Sequence, residues 1–316
     1  MLKKMLCLLL CCLLLPLSTL AEAQPNPISL LADDEIPPTP EGLHYYLLLC
    51  SDRKVSSSED PGNTDGIMLL AVDTVANRVM LVSFIRDMLV IRPDGQYGRI
   101  NGISKRFSPE DMMATLNRHF GIRIEKYILV NWTGVEDIID ALGGVEVTLT
   151  SGEAIRLRDK QAYMSDWAVP ELKSAGTYRL RGYAAVTYMR IRSDTSVNGE
   201  RYDYRRTTRA RNVVISLADS LRDVTWSEAL TLATTTIWQC IAGTNMTLAD
   251  MMEAAGYAFA LRSAEIEQLR IPIDGTGAEF YYKDMATQQI DVAQNRDALQ
   301  RFLFESYTVR DDEGWD

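Results

Sequence analysis

The chain has 316 residues, with 33 Lys plus Arg against 43 Asp plus Glu, a formal charge of -10 and 47% hydrophobic residues. That is an ordinary globular composition, long enough for one large domain or two small ones. The acidic balance argues against a general nucleic-acid binder, which spreads basic residues over a whole face.

At the N-terminus Lys3 and Lys4 precede an apolar run from Met5 to Leu15 that Pro16 interrupts, and Ala21-Glu22-Ala23 has the small-residue spacing of a cleavage site. Residues 1–23 are therefore expected to be a secretory signal peptide and the chain to be exported. The apolar run falls short of the ~20 residues of a comfortable membrane span, and an uncleaved anchor is the alternative. Three of the five cysteines (Cys7, Cys11 and Cys12) lie in this segment. Cys50 and Cys240 are left, as one bridge in an oxidising compartment or as two buried thiols. Residues 24–43 hold five of the eleven prolines and read as an extended tether. A single domain is expected over residues 44–316.

Apolar, β-prone runs at Tyr45–Leu49, Ile67–Val72, Val79–Phe84, Tyr127–Val130 and Val145–Leu149 predict buried strands. Helix starts lie between and after them: Ser108-Pro109-Glu110-Asp111, Thr133-Gly-Val-Glu136, Thr225-x-x-Glu228 and Thr247-x-x-Asp250. The second of these helices is expected to stop at Gly143-Gly144. Apolar residues at helical intervals predict further helices over Met251–Leu261 and Ala286–Phe304. Tyr281-Tyr282 reads as a surface turn. Strands alternating with capped helices favour an α/β or α+β fold, a sheet covered by helices.

The two histidines, His44 and His119, lie far apart with no acid or nucleophile at motif spacing, which argues against a histidine triad or zinc site. No G-x-S-x-G elbow, Walker loop or G-x-G-x-x-G fingerprint occurs. Carboxylates, arginines and a metal ion are left to do chemistry. Three strand ends deliver Asp52, Asp65 and Arg86-Asp87, and strand ends are where open sheets place ligands.

A fourth segment, RIRSDTSVNGERYDYRRTTRARN (residues 190–212), gathers arginines in an otherwise acidic chain. Arg190 and Arg192, two apart, project to one side of an extended backbone. Asp203, Arg206 and Arg209, three apart each, form one stripe of a helix. Such arginines suit a bound phosphate group, and two carboxylates beside them suit magnesium bridging a diphosphate. A solvated helix whose arginines pair with Asp194, Glu200 and Asp203 is the plainer alternative.

Taken together the segments resemble the LytR-CpsA-Psr family of cell-wall glycopolymer ligases. That family's pattern runs G-x-D-x-R, [ST]-D-T, S-x-P-R-D, D-A-L-G-G-V, Y-x-R-x-R and D-x-x-R-x-x-R-Q. In this sequence the counterparts are Cys50-Ser-Asp52-Arg53-Lys54, Thr64-Asp65-Gly66, Ser83-Phe-Ile-Arg86-Asp87, Asp140-Ala-Leu-Gly-Gly-Val145, Tyr188-Met-Arg190-Ile-Arg192 and Asp203-Tyr-Arg-Arg206-Thr-Thr-Arg209-Ala210.

The resemblance implies a central mixed β-sheet flanked by helices on both faces, with a lipid tail in an apolar tunnel. It implies an extracytoplasmic, Mg2+-dependent phosphotransferase that moves a polyprenyl-diphosphate-linked glycopolymer onto peptidoglycan as a phosphodiester, touching the membrane surface through its lipid substrate. Asp52 and Asp65 would hold Mg2+. Arg86, Arg190, Arg192, Arg206 and Arg209 would grip the diphosphate. Arg86 would act in catalysis with Asp87 or Asp52 as base. A polyprenyl-diphosphate phosphatase and a non-catalytic polyprenyl-phosphate-binding protein are the alternatives. Four positions depart from the pattern, Cys50 for Gly, Lys54 for Arg, Ile85 for Pro and Ala210 for Gln, and lysine cannot reproduce bidentate phosphate binding.

Overall fold

A computed structural model describes residues 24–57, 59–161, 172, 174–191 and 203–312. The expected signal peptide and Arg192 lie outside the described residues. The first half supplies strands β1 (Leu43–Ser51), β2 (Thr64–Asp73), β3 (Arg78–Phe84), β4 (Leu89–Ile91), β5 (Tyr97–Arg99), β6 (Lys126–Val130), β7 (Val145–Leu149) and β8 (Gly176–Leu180). β9 (Ile241–Thr244), β10 (Ile266–Ile271), β11 (Gly277–Tyr282) and β12 (Met285–Ile290) follow. The principal helices are α1 (Pro109–Phe120), α2 (Trp132–Ala141), α3 (Ser151–Gln161), α4 (Gly182–Met189), α5 (Asp203–Ser220), α6 (Trp226–Thr231), α7 (Leu248–Ala260) and α8 (Val292–Asp312).

Six strands form one mixed sheet in the order β10-β3-β2-β1-β6-β9. β1 runs antiparallel to β2 and parallel to β6, and β3 runs antiparallel to β2 and parallel to β10. The carboxyl ends of β1, β3 and β6 and the amino end of β2 therefore meet along one edge. Alternation along the strands divides the apolar residues between two faces. Leu43, Tyr45, Leu47 and Leu49 of β1 enter the main core with α1 and α8, whereas Tyr46 and Leu48 turn to the other face, covered by α7. β7, read from sequence as one more buried strand, pairs with β8 in a separate antiparallel two-stranded sheet that packs with α3, α4 and α5 as a second core.

Local signals account for most helix starts. Ser108 accepts from Asp111 N at the start of α1, and Thr225 and Thr247 form capping boxes with Glu228 and Asp250. At α2 the cap is Asn131, which accepts from Gly134 N at 2.9 Å, so Thr133 already lies inside the helix. Gly143 and Gly144, at φ 80° and 97°, stop that helix in a conformation that favours glycine.

The proline-rich segment is extended but docked: Arg123 donates to the carbonyls of Pro37 and Ile36, and Ile36 is buried. Residues 286–290 belong to strand β12 rather than to a helix, because they pair with β11 across the tight Lys283-Asp284 turn, and the helix begins at Val292. Tyr281 and Tyr282 are accordingly strand residues.

His119 is a structural residue. Its Nδ1 donates to the Thr115 carbonyl at 2.7 Å and its Nε2 accepts from Ile91 N at 3.1 Å. Burial pushes the imidazole down to about 4. The unfolded ring takes up a proton near its ordinary value of about 6.5, so this contribution is complete above that pH and is lost as pH falls toward 4. It amounts to about 3 kcal/mol at most. Urea titrations from pH 7 to 4 should show stability falling with acidity, with a flatter dependence in His119→Gln; equal slopes contradict this role.

Candidate active site

The shared sheet edge assembles the site. In the β1–β2 ladder Cys50 pairs with Gly66 while Ser51 pairs with Thr64, so Asp65 is the extra residue of a bulge. Bulges re-aim side chains next to functional sites. Asp65 receives Arg86 Nη1 on Oδ1 at 2.8 Å and Arg206 Nη2 on Oδ2 at 2.7 Å. Arg86 arrives from the loop after β3 and Arg206 from the first turns of α5, so one carboxylate ties the sheet edge to the helix above it. Burial would raise the Asp65 carboxyl, but Arg206 and then Arg86 more than offset this and hold it below the usual carboxylate range.

Arg190 approaches from α4. It caps the C-terminus of that helix, where a cation complements the helix dipole. Its guanidinium lies 3.6 Å from the centre of the Trp132 ring, a cation–π stack that keeps the fork exposed while fixing its plane. The backbone at Arg190 is helical rather than extended, since its N–H still bonds the carbonyls of Val186 and Thr187. Trp132 is itself placed by a bond from its N–H to the Arg53 carbonyl at 3.1 Å.

Asp52 follows β1. Its Oδ1 accepts from Asn63 N at 3.1 Å and its Oδ2 from Asn63 Nδ2 at 2.8 Å. Asp87 is nearly buried and turned toward Arg86 Nε (3.5 Å) and Arg99 Nη1 (3.2 Å), and it does not line the cavity beside the site. Burial first, reinforced by Asp65, pushes the Cys50 thiol up to about 12, so it is protonated and no nucleophile at neutral pH. Cys50 and Cys240 are both free.

Behind these groups lie two apolar cavities of about 290 Å3 each. They adjoin through Leu48, Ile128, Val214 and Ile237, which line both. Asp65, Arg190 and Arg206 stand at the polar end of the first, whose other walls are almost wholly aliphatic. The floor is the sheet face carrying Tyr46, Leu48 and Leu70, and the roof is α5, α7 and a π-helical turn at Leu232–Ile237.

Arg209 requires a correction. It is fully buried, pairs with Glu153 and lines neither cavity. Three residues advance a helix by about 300°, which leaves Arg206 and Arg209 about 60° apart, enough to send one to the site and the other into the second core. Arg211, also buried, bonds Ser83 Oγ at 2.7 Å. Sequence reasoning missed Trp132, Asn63 and Arg99.

Comparison with known proteins identifies the family. The profile of the LytR_cpsA_psr family matches residues 38–299. The chain belongs to this family. It is 25% identical over 256 residues to biofilm regulatory protein A of Streptococcus mutans, covering 76% of this chain and 59% of that protein. It is 28% identical over 256 residues to the polyisoprenyl-teichoic acid–peptidoglycan teichoic acid transferase TagU of Bacillus mycoides, covering 77% of this chain and 75% of the relative. Among solved structures, TagT with bound octaprenyl pyrophosphate lipid superposes with a TM-score of 0.62 at 17% identity, over 84% of this chain and 90% of that one. At such identity the likeness bears on the fold, which is the expected mixed sheet between helices.

The environment of Asp65 gives a direct test. In Arg206→Ala burial persists while the larger stabilising charge is gone, so the Asp65 carboxyl should titrate at higher pH. Carboxyl-carbon NMR reports this, and an unshifted titration contradicts the pairing.

Proposed function

We propose that this protein is an extracytoplasmic phosphotransferase that takes a glycopolymer linked by diphosphate to a polyprenyl lipid and joins it to a peptidoglycan hydroxyl as a phosphodiester. The observation that carries the reading is the placement of Asp65, Arg190 and Arg206 at the polar end of an aliphatic cavity, with Arg86 bonded to Asp65. Guanidiniums bind phosphate oxygens bidentately, and the cavity offers the lipid a water-free wall. The TagU and TagT names, given to proteins of the same family, point the same way.

The step is an attack of the acceptor hydroxyl on the glycan-bearing phosphorus. The bond between that phosphorus and the bridging oxygen breaks, polyprenyl phosphate departs, and the hydroxyl proton passes to a base. Phosphoryl transfer asks a protein mostly for positioning and charge neutralisation. Arg190 and Arg206 would bind the diphosphate, and Arg86 would join them as its contact with Asp65 gives way. Asp87, between Arg86 and Arg99, or Asp52, which accepts from Asn63, would take the proton.

Magnesium fits the donor set. Among the described residues no group of three or more His, Cys, Asp or Glu side chains could hold a metal, and Mg2+ commonly takes one or two carboxylates plus water and phosphate oxygens. Asp52 and Asp65 would hold it, and it would supply charge neutralisation on the diphosphate.

Arg190→Ala and Arg206→Ala should each lower transfer from lipid-linked glycan to peptidoglycan oligomer by about a hundredfold or more while the protein stays folded. Asp65→Ala should lower the response of turnover to added Mg2+. Wild-type rates in the arginine variants contradict the reading. Free phosphate without covalent product would instead indicate hydrolysis, and binding without turnover a carrier.

A further inference from the structure

Helix α5 holds a second charged arrangement that the proposed function leaves unused. Arg209 and Glu153 are both fully buried and meet at 2.6 Å, Nε to Oε1. Glu153 Oε2 accepts from the Thr150 N–H at 2.9 Å and from its hydroxyl at 3.1 Å, which fixes the carboxylate to the first turn of α3. The guanidinium donates from Nη1 to the Ile191 carbonyl and lies 5.8 Å from the centre of the Tyr188 ring. Tyr188 lies two residues before Arg190 and Ile191 one after it, and Arg206 lies one turn before Arg209 on the same helix. One buried fork thus connects three elements, α3, the end of α4 and α5, and two of them carry arginines of the site.

Packing alone does not call for charge at this place. Desolvating two ions is costly, and a buried ion pair can often be replaced by well-packed apolar side chains of similar volume without loss of stability. What apolar residues cannot supply is direction. A planar guanidinium held by a carboxylate on one side sets the position of the carbonyl it bonds on the other. That carbonyl belongs to the residue after Arg190, at the point where α4 ends.

We propose that Glu153 and Arg209 are positioning residues that hold Arg190 and Arg206 at the spacing a diphosphate requires. The inference rests on the diphosphate reading of the site and adds to it a residue, Glu153, that lies outside every motif segment. Arg209 acts through the backbone at Ile191 and through α5, without touching the ligand. Losing the pair leaves both site arginines present but free to drift apart, so a bidentate anion is bound less tightly although no ligand-contacting group is missing.

The test measures binding of inorganic pyrophosphate by isothermal titration calorimetry together with thermal melting. In the double variant Glu153→Leu with Arg209→Leu, two apolar side chains refill the buried space. Melting should stay near wild type while pyrophosphate affinity falls by about tenfold, a loss of about 1.4 kcal/mol. Arg209→Lys, which keeps the charge but reaches only one of the two partners, should bind a few-fold less tightly, and it carries the test alone if the double variant does not fold. Wild-type affinity in either folded variant overturns the proposal. Arg206→Ala is the control: if it loses pyrophosphate while the pair variants do not, the site reading stands and the positioning role is wrong. If Arg206→Ala also binds as wild type, the site reading fails and the positioning role fails with it.

Discussion

The ion pairs of Asp65 with Arg86 and Arg206 are the constraint on which the site depends. A carboxylate taken out of water is costly, and charge-assisted hydrogen bonds of about 1.5–3 kcal/mol each offset that cost. The bulge in β2 aims Asp65, the end of β3 sends Arg86 to one of its oxygens, and α5 sends Arg206 to the other. Sheet and helix are thereby locked at the one edge where four strand ends meet. Arg190, stacked on Trp132, adds a further guanidinium beside these pairs. An acidic chain thus gathers three arginines in one place.

The same strands build the apolar chamber behind that charge. Leu47 and Leu49 alternate with Tyr46 and Leu48, so one face of the sheet closes the main core with α1 and α8 while the other floors the cavities. A roof of aliphatic residues from α5 and a wide π-helical turn completes them without filling them. The polar mouth and the apolar interior are therefore two consequences of one alternation and one strand order.

Much of this could be read from the residues. The runs at Tyr45–Leu49, Ile67–Val72 and Val79–Phe84 became central strands because each is β-prone and apolar on both faces, as a sheet covered on two sides requires. β10 escaped notice because IEQLRI mixes polar with apolar residues, and the β11–β12 hairpin reads as a surface turn and the start of a helix because β11 is largely exposed and β12 runs straight on toward α8. Asp65, Arg86, Arg190 and Arg206 were found because their segments carry recognisable spacing. Arg209 shares that spacing but not the destination. Helical phase alone does not reveal which of two neighbouring arginines meets solvent and which meets Glu153, a partner 56 residues away in sequence. Asn63 and Trp132 were missed because an amide and an indole carry no chemistry until the fold sets them beside a carboxylate and a guanidinium.

In the proposed complex a diphosphate lies between Arg190 and Arg206, with its hydrocarbon running inward. A crystal structure of the protein with a short prenyl diphosphate bound tests this most directly. It should show the phosphates against those two guanidiniums and the chain passing Leu48, Ile128, Val214 and Ile237. Phosphates bound elsewhere, or a chain lying outside the cavities, would contradict it.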